Sequence, residues 1–286
     1  MNRKKGMVLL ILLLCVLLCL DLLGVCLLYL HRNEGAVEQN TAAAADPSAI
    51  APMHTPTPTP EPTPLPTPEP TPTPTAEPEK LYAYIDGGVD LRWYLPEAEF
   101  ELLFTTNQNV TGRSLYPAVP LLEENTARML KAAYEQFRAD GYILKIYVAY
   151  RPRSAQQALW NAVHNSKYIA DPSNGGSWHQ GGRAVDISLV DAATGEELEM
   201  PTPMHTFTDA AGRYANNGWS EEAEKNVAYM TDVMRAAGFS TIRTEWWHFE
   251  YNAKGAPVLD SEVDYDSLEY LTADEMTARK GYSPVI

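Results

Sequence analysis

Beyond Cys26 the 286-residue chain has no cysteine; all three, Cys15, Cys19 and Cys26, fall in its first thirty residues. This excludes a disulfide framework and a cysteine-ligated zinc for everything downstream, and such a domain is safe in an oxidising compartment. Cations are also scarce. Twenty-two Lys and Arg stand against thirty-seven Asp and Glu, a net charge of −15. A nucleic-acid binder would present a basic face, and this composition does not supply one. There is no internal repeat and no alternating βαβ rhythm, which leaves an α+β arrangement of helices and mostly antiparallel strands.

Three segments are present instead. Arg3, Lys4 and Lys5 precede an apolar run from Met7 to Leu30. As a helix rising about 1.5 Å per residue it spans roughly 36 Å, slightly more than a hydrocarbon core. The basic flank keeps the N-terminus cytoplasmic and puts the rest outside. Residues 1–33 therefore read as a cytoplasmic stub and transmembrane signal anchor, although Asp21 interrupts the run. The competing reading is a cleaved signal peptide, and Leu23-Gly24-Val25-Cys26 makes a poor lipobox because Val25 is bulky. Residues 34–79 are a linker. Between Pro56 and Pro74 every second residue is proline, mostly spaced by threonine, a semi-rigid polyproline II spacer of about 3.1 Å per residue. It would hold residues 80–286 away from the membrane, in the cell wall. About two hundred residues are enough for one domain with its own core.

Within that domain Leu81 to Leu95 looks strand-like, and Asn109-Val110-Thr111-Gly112 reads as a turn. Asn125 is placed to cap a helix over 126–139, which Asp140-Gly141 stops. Tyr142 to Tyr150 is a strand, and Arg151-Pro152 turns the chain out of it. Ser154 is placed to cap a helix to about residue 166. Thr194-Gly195 is a hairpin turn, residues 200–218 form an irregular loop, and Ser220 opens a helix ending near Gly238. Ile242 to Tyr251 is the last clear strand, and the tail from Val258 is partly helical.

The stretch Ser177-Trp178-His179-Gln180-Gly181-Gly182-Arg183-Ala184-Val185-Asp186 places a histidine and a carboxylate seven residues apart, on a glycine turn running into a strand. Val185, Ile187 and Leu189 alternate with Asp186 and Ser188, so Asp186 faces away from the apolar side. A second histidine stands in Glu245-Trp246-Trp247-His248. A catalytic zinc takes three nitrogen or oxygen ligands and keeps one position open; His179, Asp186 and His248 fit that count. Glu245 can act as general base toward water at the open position. In a regular strand, residues three apart face opposite ways, so a turn or bulge is expected near Trp246, with the strand starting around His248. Arg151, at the end of a strand, is the candidate cation for a developing oxyanion. Each residue alone has an ordinary reading: a packed histidine, a packed tryptophan pair, an arginine on a surface carboxylate. Their joint pattern points to a catalytic metal.

These motifs, Ser177-x-His179-x-x-Gly182-x-Ala184-x-Asp186 with Glu245-Trp246-Trp247-His248, resemble the zinc D-alanyl-D-alanine metallopeptidases of the VanX/VanY type, peptidase family M15. The resemblance covers roughly residues 82–255. Val89-Asp90-Leu91-Arg92, Asn109-Val110-Thr111-Gly112 with Tyr116, Ala149-Tyr150-Arg151-Pro152 and Met200-Pro201-Thr202 resemble its D-Ala-D-Ala dipeptidase branch. The resemblance implies a hedgehog/D,D-peptidase-like fold, a central mostly antiparallel sheet with flanking helices. It implies Zn²⁺ on His179, Asp186 and His248, Glu245 as base and then proton donor, and Arg151 as oxyanion stabiliser. Ser177 and Tyr116 would help hold the substrate, and a D-Ala-D-Ala bond would be hydrolysed without a covalent intermediate.

Two positions depart from the family pattern. Dipeptidases of this branch carry Phe-Asp after the Met-x-Thr segment, where the Asp grips the substrate's free amino group; here the residues are Met204-His205. The family's Asp-Ala-Tyr-Arg is here Val148-Ala149-Tyr150-Arg151. His205 is either a replacement polar contact to substrate or an ordinary loop residue. Sequence similarity favours a D-Ala-D-Ala dipeptidase. Topology and His205 favour a D,D-carboxypeptidase trimming peptidoglycan stem peptides. A catalytically inactive wall-binding or sensor module is the reading from another class, and the retention of Glu245 and Arg151 argues against it.

Overall fold

The computed structural model describes residues 79–214 and 217–285. The expected anchor over 1–33 lies outside the described residues, as does the expected linker up to residue 78. Among the described residues, no helix is long and apolar enough to cross a membrane.

In chain order the elements are β1 (Tyr82–Tyr84), β2 (Gly88–Asp90), a four-residue helical turn α1 (Leu91–Tyr94), β3 (Glu99–Phe100), β4 (Leu121–Glu123), α2 (Glu124–Ala139), β5 (Tyr142–Val148), α3 (Arg153–Val163), β6 (Ala184–Asp191), α4 (Glu221–Ala236), β7 (Ser240–Thr241), β8 (His248–Glu250), β9 (Glu269–Leu271) and α5 (Ala273–Lys280). The central sheet has strand order β3-β5-β6-β8-β7. Only the β3–β5 pair is parallel; β5–β6, β6–β8 and β7–β8 are antiparallel. Two small antiparallel pairs, β1–β9 and β2–β4, complete the α+β fold.

Helix α2 packs on β5 and against α4. Its face of Ala127, Leu130, Ala133, Tyr134 and Phe137 is buried, matching the 3.6-residue spacing of those residues. The core they enter includes Leu144 and Ile146 of β5, Val185, Ile187 and Leu189 of β6, and Phe249 of β8. Each such side chain stabilises the fold by about 1.5–3 kcal/mol through removal from water. Strand β6 is buried at every residue except the last, so Asp186 and Ser188 are enclosed on the opposite face.

Three local expectations are corrected. Leu91–Tyr94 is helical rather than extended, because Asp90 caps it by accepting from the Arg92 amide at 3.0 Å. The cap of α2 is Glu123, not Asn125. Glu123 is extended and its carboxylate takes the Asn125 and Thr126 amides at 2.9 and 3.0 Å, while Asn125 already lies in the first turn. Helix α3 starts after Pro152 with no side-chain cap and ends at Val163 rather than near 166, at His164 in the left-handed region. The Ser154 hydroxyl is occupied by Glu262 instead. Ser220 does cap α4, and the regular strand after the Trp246-Trp247 turn does begin at His248.

Candidate metal and catalytic site

The first ligand is set by a short 3₁₀ turn, Trp178–Gly181. Ser177 caps it reciprocally: its amide donates to Gln180 Oε1 at 2.7 Å and its hydroxyl accepts from the His179 amide at 3.4 Å. The turn ends at Gly182 with φ of 66°. A Cβ there would come within 2.8 Å of the Glu123 amide, so only glycine lets the chain leave the turn so close to β4. From that point β6 carries Asp186 to the middle of the sheet, where it stands opposite His248 of β8.

His179, Asp186 and His248 converge, all three buried. His179 Nε2 lies 3.3 Å from His248 Nδ1 and 3.3 Å from Asp186 Oδ1, and Asp186 Oδ1 lies 3.0 Å from His248 Nδ1. Ligand bonds of about 2.0–2.1 Å give a tetrahedron edge of about 3.3–3.4 Å; two of the separations match it and the third, 3.0 Å, is slightly shorter, so the three atoms would suit one face of a tetrahedral zinc site. The other ring nitrogens are already occupied. His179 Nδ1–H donates to the Ala149 carbonyl at 2.7 Å and His248 Nε2–H to Glu250 Oε2 at 3.1 Å. Such partners fix the tautomer and aim the free nitrogen at a metal. The donor set is nitrogen and oxygen with no thiolate, and all three residues line one cleft. The residues fit Zn²⁺.

The site's electrostatics follow from this packing. Burial lowers His179 to about 4, so it is neutral and ready to bind a metal. Burial opposes a charge on His248 too, but hydrogen bonds to Asp186 and Glu250 outweigh it and raise the metal-free imidazole to about 10. Asp186 would be raised by burial, yet the surrounding histidines hold it well below the usual carboxylate range. Glu245 is pushed up to about 7, chiefly by burial.

Glu245 reaches the same cleft. One of its oxygens is 3.9 Å from His248 Nδ1 and accepts from the Trp247 indole at 3.1 Å. Arg151 follows the end of β5, and its amide donates to the His179 carbonyl at 3.0 Å. Its buried guanidinium donates to Ser177 Oγ at 3.3 Å and lies over the Phe104 ring. Among the described residues no carboxylate pairs with Arg151. Burial lowers its pKa, and Asp186, Tyr116 and Glu245 oppose that shift through their fields. The cleft thus brings together a ligand triad, a carboxylate of raised pKa and an unpaired cation.

Seven of the eight residues singled out in the sequence, His179, Asp186, His248, Glu245, Arg151, Ser177 and His205, line this cleft. Tyr116 does not. It is half-buried, stacks on Tyr265 at 6.3 Å, and its field reaches Arg151. His205 directs its Nε2 to Asp186 Oδ2 at 3.0 Å. Two further residues escaped the sequence reading. Glu250 holds His248 and could have been found, since it stands two residues on in the same strand and so shares its face. Arg213 holds the Glu245 turn: its guanidinium donates to the Glu245 carbonyl at 3.1 Å and to the carbonyl of Trp246. It comes from an irregular loop with no periodicity to mark it.

The profile of peptidase family M15, D-Ala-D-Ala dipeptidase, matches residues 86–270. The D-alanyl-D-alanine dipeptidase of Escherichia coli (strain K12) is 32% identical over 163 residues, which cover 57% of this chain and 83% of that protein. The D-alanyl-D-alanine dipeptidase of Enterococcus faecium is 27% identical over 160 residues, covering 49% of this chain and 76% of that one. Among solved structures, a Zn(II) complex of the vancomycin-resistance D,D-pentapeptidase VanY aligns at 17% identity with a TM-score of 0.30, over 49% of this chain and 76% of that one. On the extent of the family match and the identity to the Escherichia coli protein, the chain belongs to peptidase family M15, the D-Ala-D-Ala dipeptidase family of zinc metallopeptidases.

Proposed function

We propose that this protein is a membrane-anchored zinc D,D-peptidase that hydrolyses the D-Ala-D-Ala peptide bond outside the membrane. The observation that carries the hydrolytic reading is Glu245 Oε2 standing 3.9 Å from His248 Nδ1 in one cleft with an unpaired Arg151. A structural zinc needs neither a base of raised pKa nor a free cation. Bound on His179, Asp186 and His248, Zn²⁺ would supply the Lewis acidity that polarises the peptide carbonyl and acidifies water. Glu245 takes the proton from the attacking water as its oxygen bonds to the carbonyl carbon. Arg151 offers its N–H groups to the oxygen that becomes negative. Glu245 then passes the proton to the departing amine nitrogen as the C–N bond breaks, so no covalent enzyme intermediate forms. Ser177 holds the Arg151 side chain and lies at the cleft wall, where it can meet the substrate.

Similarity to dipeptidases supports free D-Ala-D-Ala as the first substrate. A second reading, D,D-carboxypeptidase action on peptidoglycan stem peptides, is supported by His205. It stands where the dipeptidase branch has the carboxylate that grips a free ammonium, and Val148 replaces another acidic residue nearby. An acylated N-terminus makes no demand for either. The apolar run from Met7 to Leu30, its basic flank and the Pro/Thr tract support an anchor with the catalytic domain held out in the wall.

The test is D-Ala release by the zinc-loaded, full-length protein from D-Ala-D-Ala and, separately, from a pentapeptide ending in D-Ala-D-Ala. Cleavage of the dipeptide alone supports the first reading and removes the second. Cleavage of the pentapeptide alone does the reverse. Cleavage of neither by the zinc-bound protein would sink the hydrolase reading.

A further inference from the structure

His205 occupies a costly position. The Thr206 amide donates to the Pro203 carbonyl at 3.3 Å, closing a turn around Met204 and His205. In that turn His205 has φ of +57°, a conformation that glycine or asparagine usually supplies there. Non-glycine residues hold it where the surroundings over-determine it. Here they do. The imidazole lies between the near-parallel rings of Phe104 and Phe207, at 5.0 and 5.5 Å, with the edge of Trp247 at 5.6 Å. Phe104 and Trp247 are themselves fully buried. The ring therefore has little freedom, and its Nε2 is aimed at Asp186.

Asp186 has two oxygens in different surroundings. Oδ1 faces both ligand nitrogens, His248 Nδ1 at 3.0 Å and His179 Nε2 at 3.3 Å. Oδ2 faces away from them and accepts from His205 Nε2–H at 3.0 Å. Asp186 is 2% exposed, so bulk water does not take the place of this donor. Rotation of the carboxylate about Cβ–Cγ would exchange the two oxygens or present both. The bond from His205 opposes that rotation.

We infer that His205 is a positioning residue that locks Asp186 as a one-oxygen metal ligand, rather than a group that contacts substrate. The inference rests on the metal-centre part of the proposed function. It also gives His205 a task other than that of the carboxylate it replaces: its Nε2–H donor is spent on the metal ligand, and it brings no negative charge to a substrate ammonium.

Three variants of the full-length protein test this, with zinc affinity measured by competition against a chelator. H205F keeps a flat ring between Phe104 and Phe207 but has no donor. H205Q and H205M have similar length and differ in having and lacking the donor, so they repeat the comparison without a second ring. H205F and H205M are expected to bind zinc about 10–100-fold more weakly, the range for loss of a partner behind a metal ligand, with metal-free unfolding midpoints like that of H205Q. H205Q is expected to recover most of the affinity. X-ray absorption on the zinc-loaded wild type should count two imidazoles. Equal zinc affinity in H205M and H205Q overturns the inference. So does a count of three imidazoles, which would make His205 a ligand itself. Weak zinc binding by H205M in a protein whose wild type cleaves neither peptide would uphold the inference while removing the hydrolase reading.

Discussion

Asp186 and His248 are register partners. They face each other directly across the antiparallel pair of β6 and β8, with Asp186 Oδ1 3.0 Å from His248 Nδ1. The sheet therefore builds two-thirds of the ligand triad by itself, and the 3₁₀ turn before β6 brings His179 to complete it. Replacing Asp186 with Asn keeps the shape and removes the charge. Zinc affinity should fall by more than the roughly 10–100-fold that loss of an outer partner costs. Metal analysis after dialysis against a weak chelator checks this, and full zinc retention would contradict the ligand assignment.

Glu245 separates binding from chemistry. Glu245→Gln keeps the hydrogen-bonding shape beside the Trp247 indole but cannot take a proton. Zinc content should stay at the wild-type level while kcat falls by about a hundred- to ten-thousandfold. A variant that binds zinc and turns over at the wild-type rate would remove Glu245 from its role.

Arg151→Ala removes the only proposed donor to the oxyanion. Its kcat should drop by about a hundred- to thousandfold, with zinc affinity little changed, because Arg151 touches no ligand side chain. Arg151→Lys should recover only part, since an ammonium cannot both reach Ser177 and present a planar pair of donors. Steady-state kinetics alongside metal analysis reads both outcomes.

Zinc binding should release a proton at neutral pH. In the metal-free protein His248 is raised to about 10 and is protonated at pH 7, whereas His179 is lowered to about 4 and is not. Zinc must displace the His248 proton, so apparent affinity should rise about tenfold per pH unit across pH 6–8. Metal-free stability has the opposite sign. The raised His248 pKa contributes stability that is complete below about 6.5 and is lost as pH rises from there through about 10. Calorimetry in buffers of different ionisation heat counts the proton. A pH-independent affinity would show that His248 is neutral before the metal arrives.

Arg213 ties the catalytic turn to the loop before α4. Its guanidinium donates to the carbonyls of Glu245 and Trp246 and to Thr231 Oγ1, and it lies over Phe249. Arg213→Met leaves those acceptors without their donor, so stability should fall by roughly 2–4 kcal/mol. As a positioning residue it should lower kcat more than it changes KM. Thermal unfolding and kinetics on the same preparation test the two effects together. An unchanged kcat in a folded variant would confine Arg213 to structure.

That His179, Asp186, His248, Glu245 and Arg151 would meet in one cleft was legible in the sequence because their patterns are written locally. A histidine and an aspartate seven apart on a glycine turn, and Glu245 three residues before His248, are patterns that few other structures need. Strand periodicity also put Asp186 on the polar side of β6. Legibility failed where a neighbour in space decided the outcome. Asn125 looked like a cap, but Glu123 takes the Asn125 and Thr126 amides and starts the helix earlier, so Asn125 falls in its first turn. Ser154 looked like another until Glu262, more than a hundred residues away, took its hydroxyl.

By itself the sequence determined which atoms could bind a metal and which group could move a proton, since those depend on residue type and short spacing. Only the tertiary structure decided how each is used. It set His248 to offer Nδ1 because Glu250 takes Nε2, and His179 to offer Nε2 because Ala149 takes Nδ1. It set His205, which the sequence left as either a substrate contact or an ordinary loop residue, against Asp186 Oδ2. These choices depend on hydrogen-bond partners brought together from distant parts of the chain in a buried site, where each donor and acceptor must find a mate, and no local pattern records that pairing.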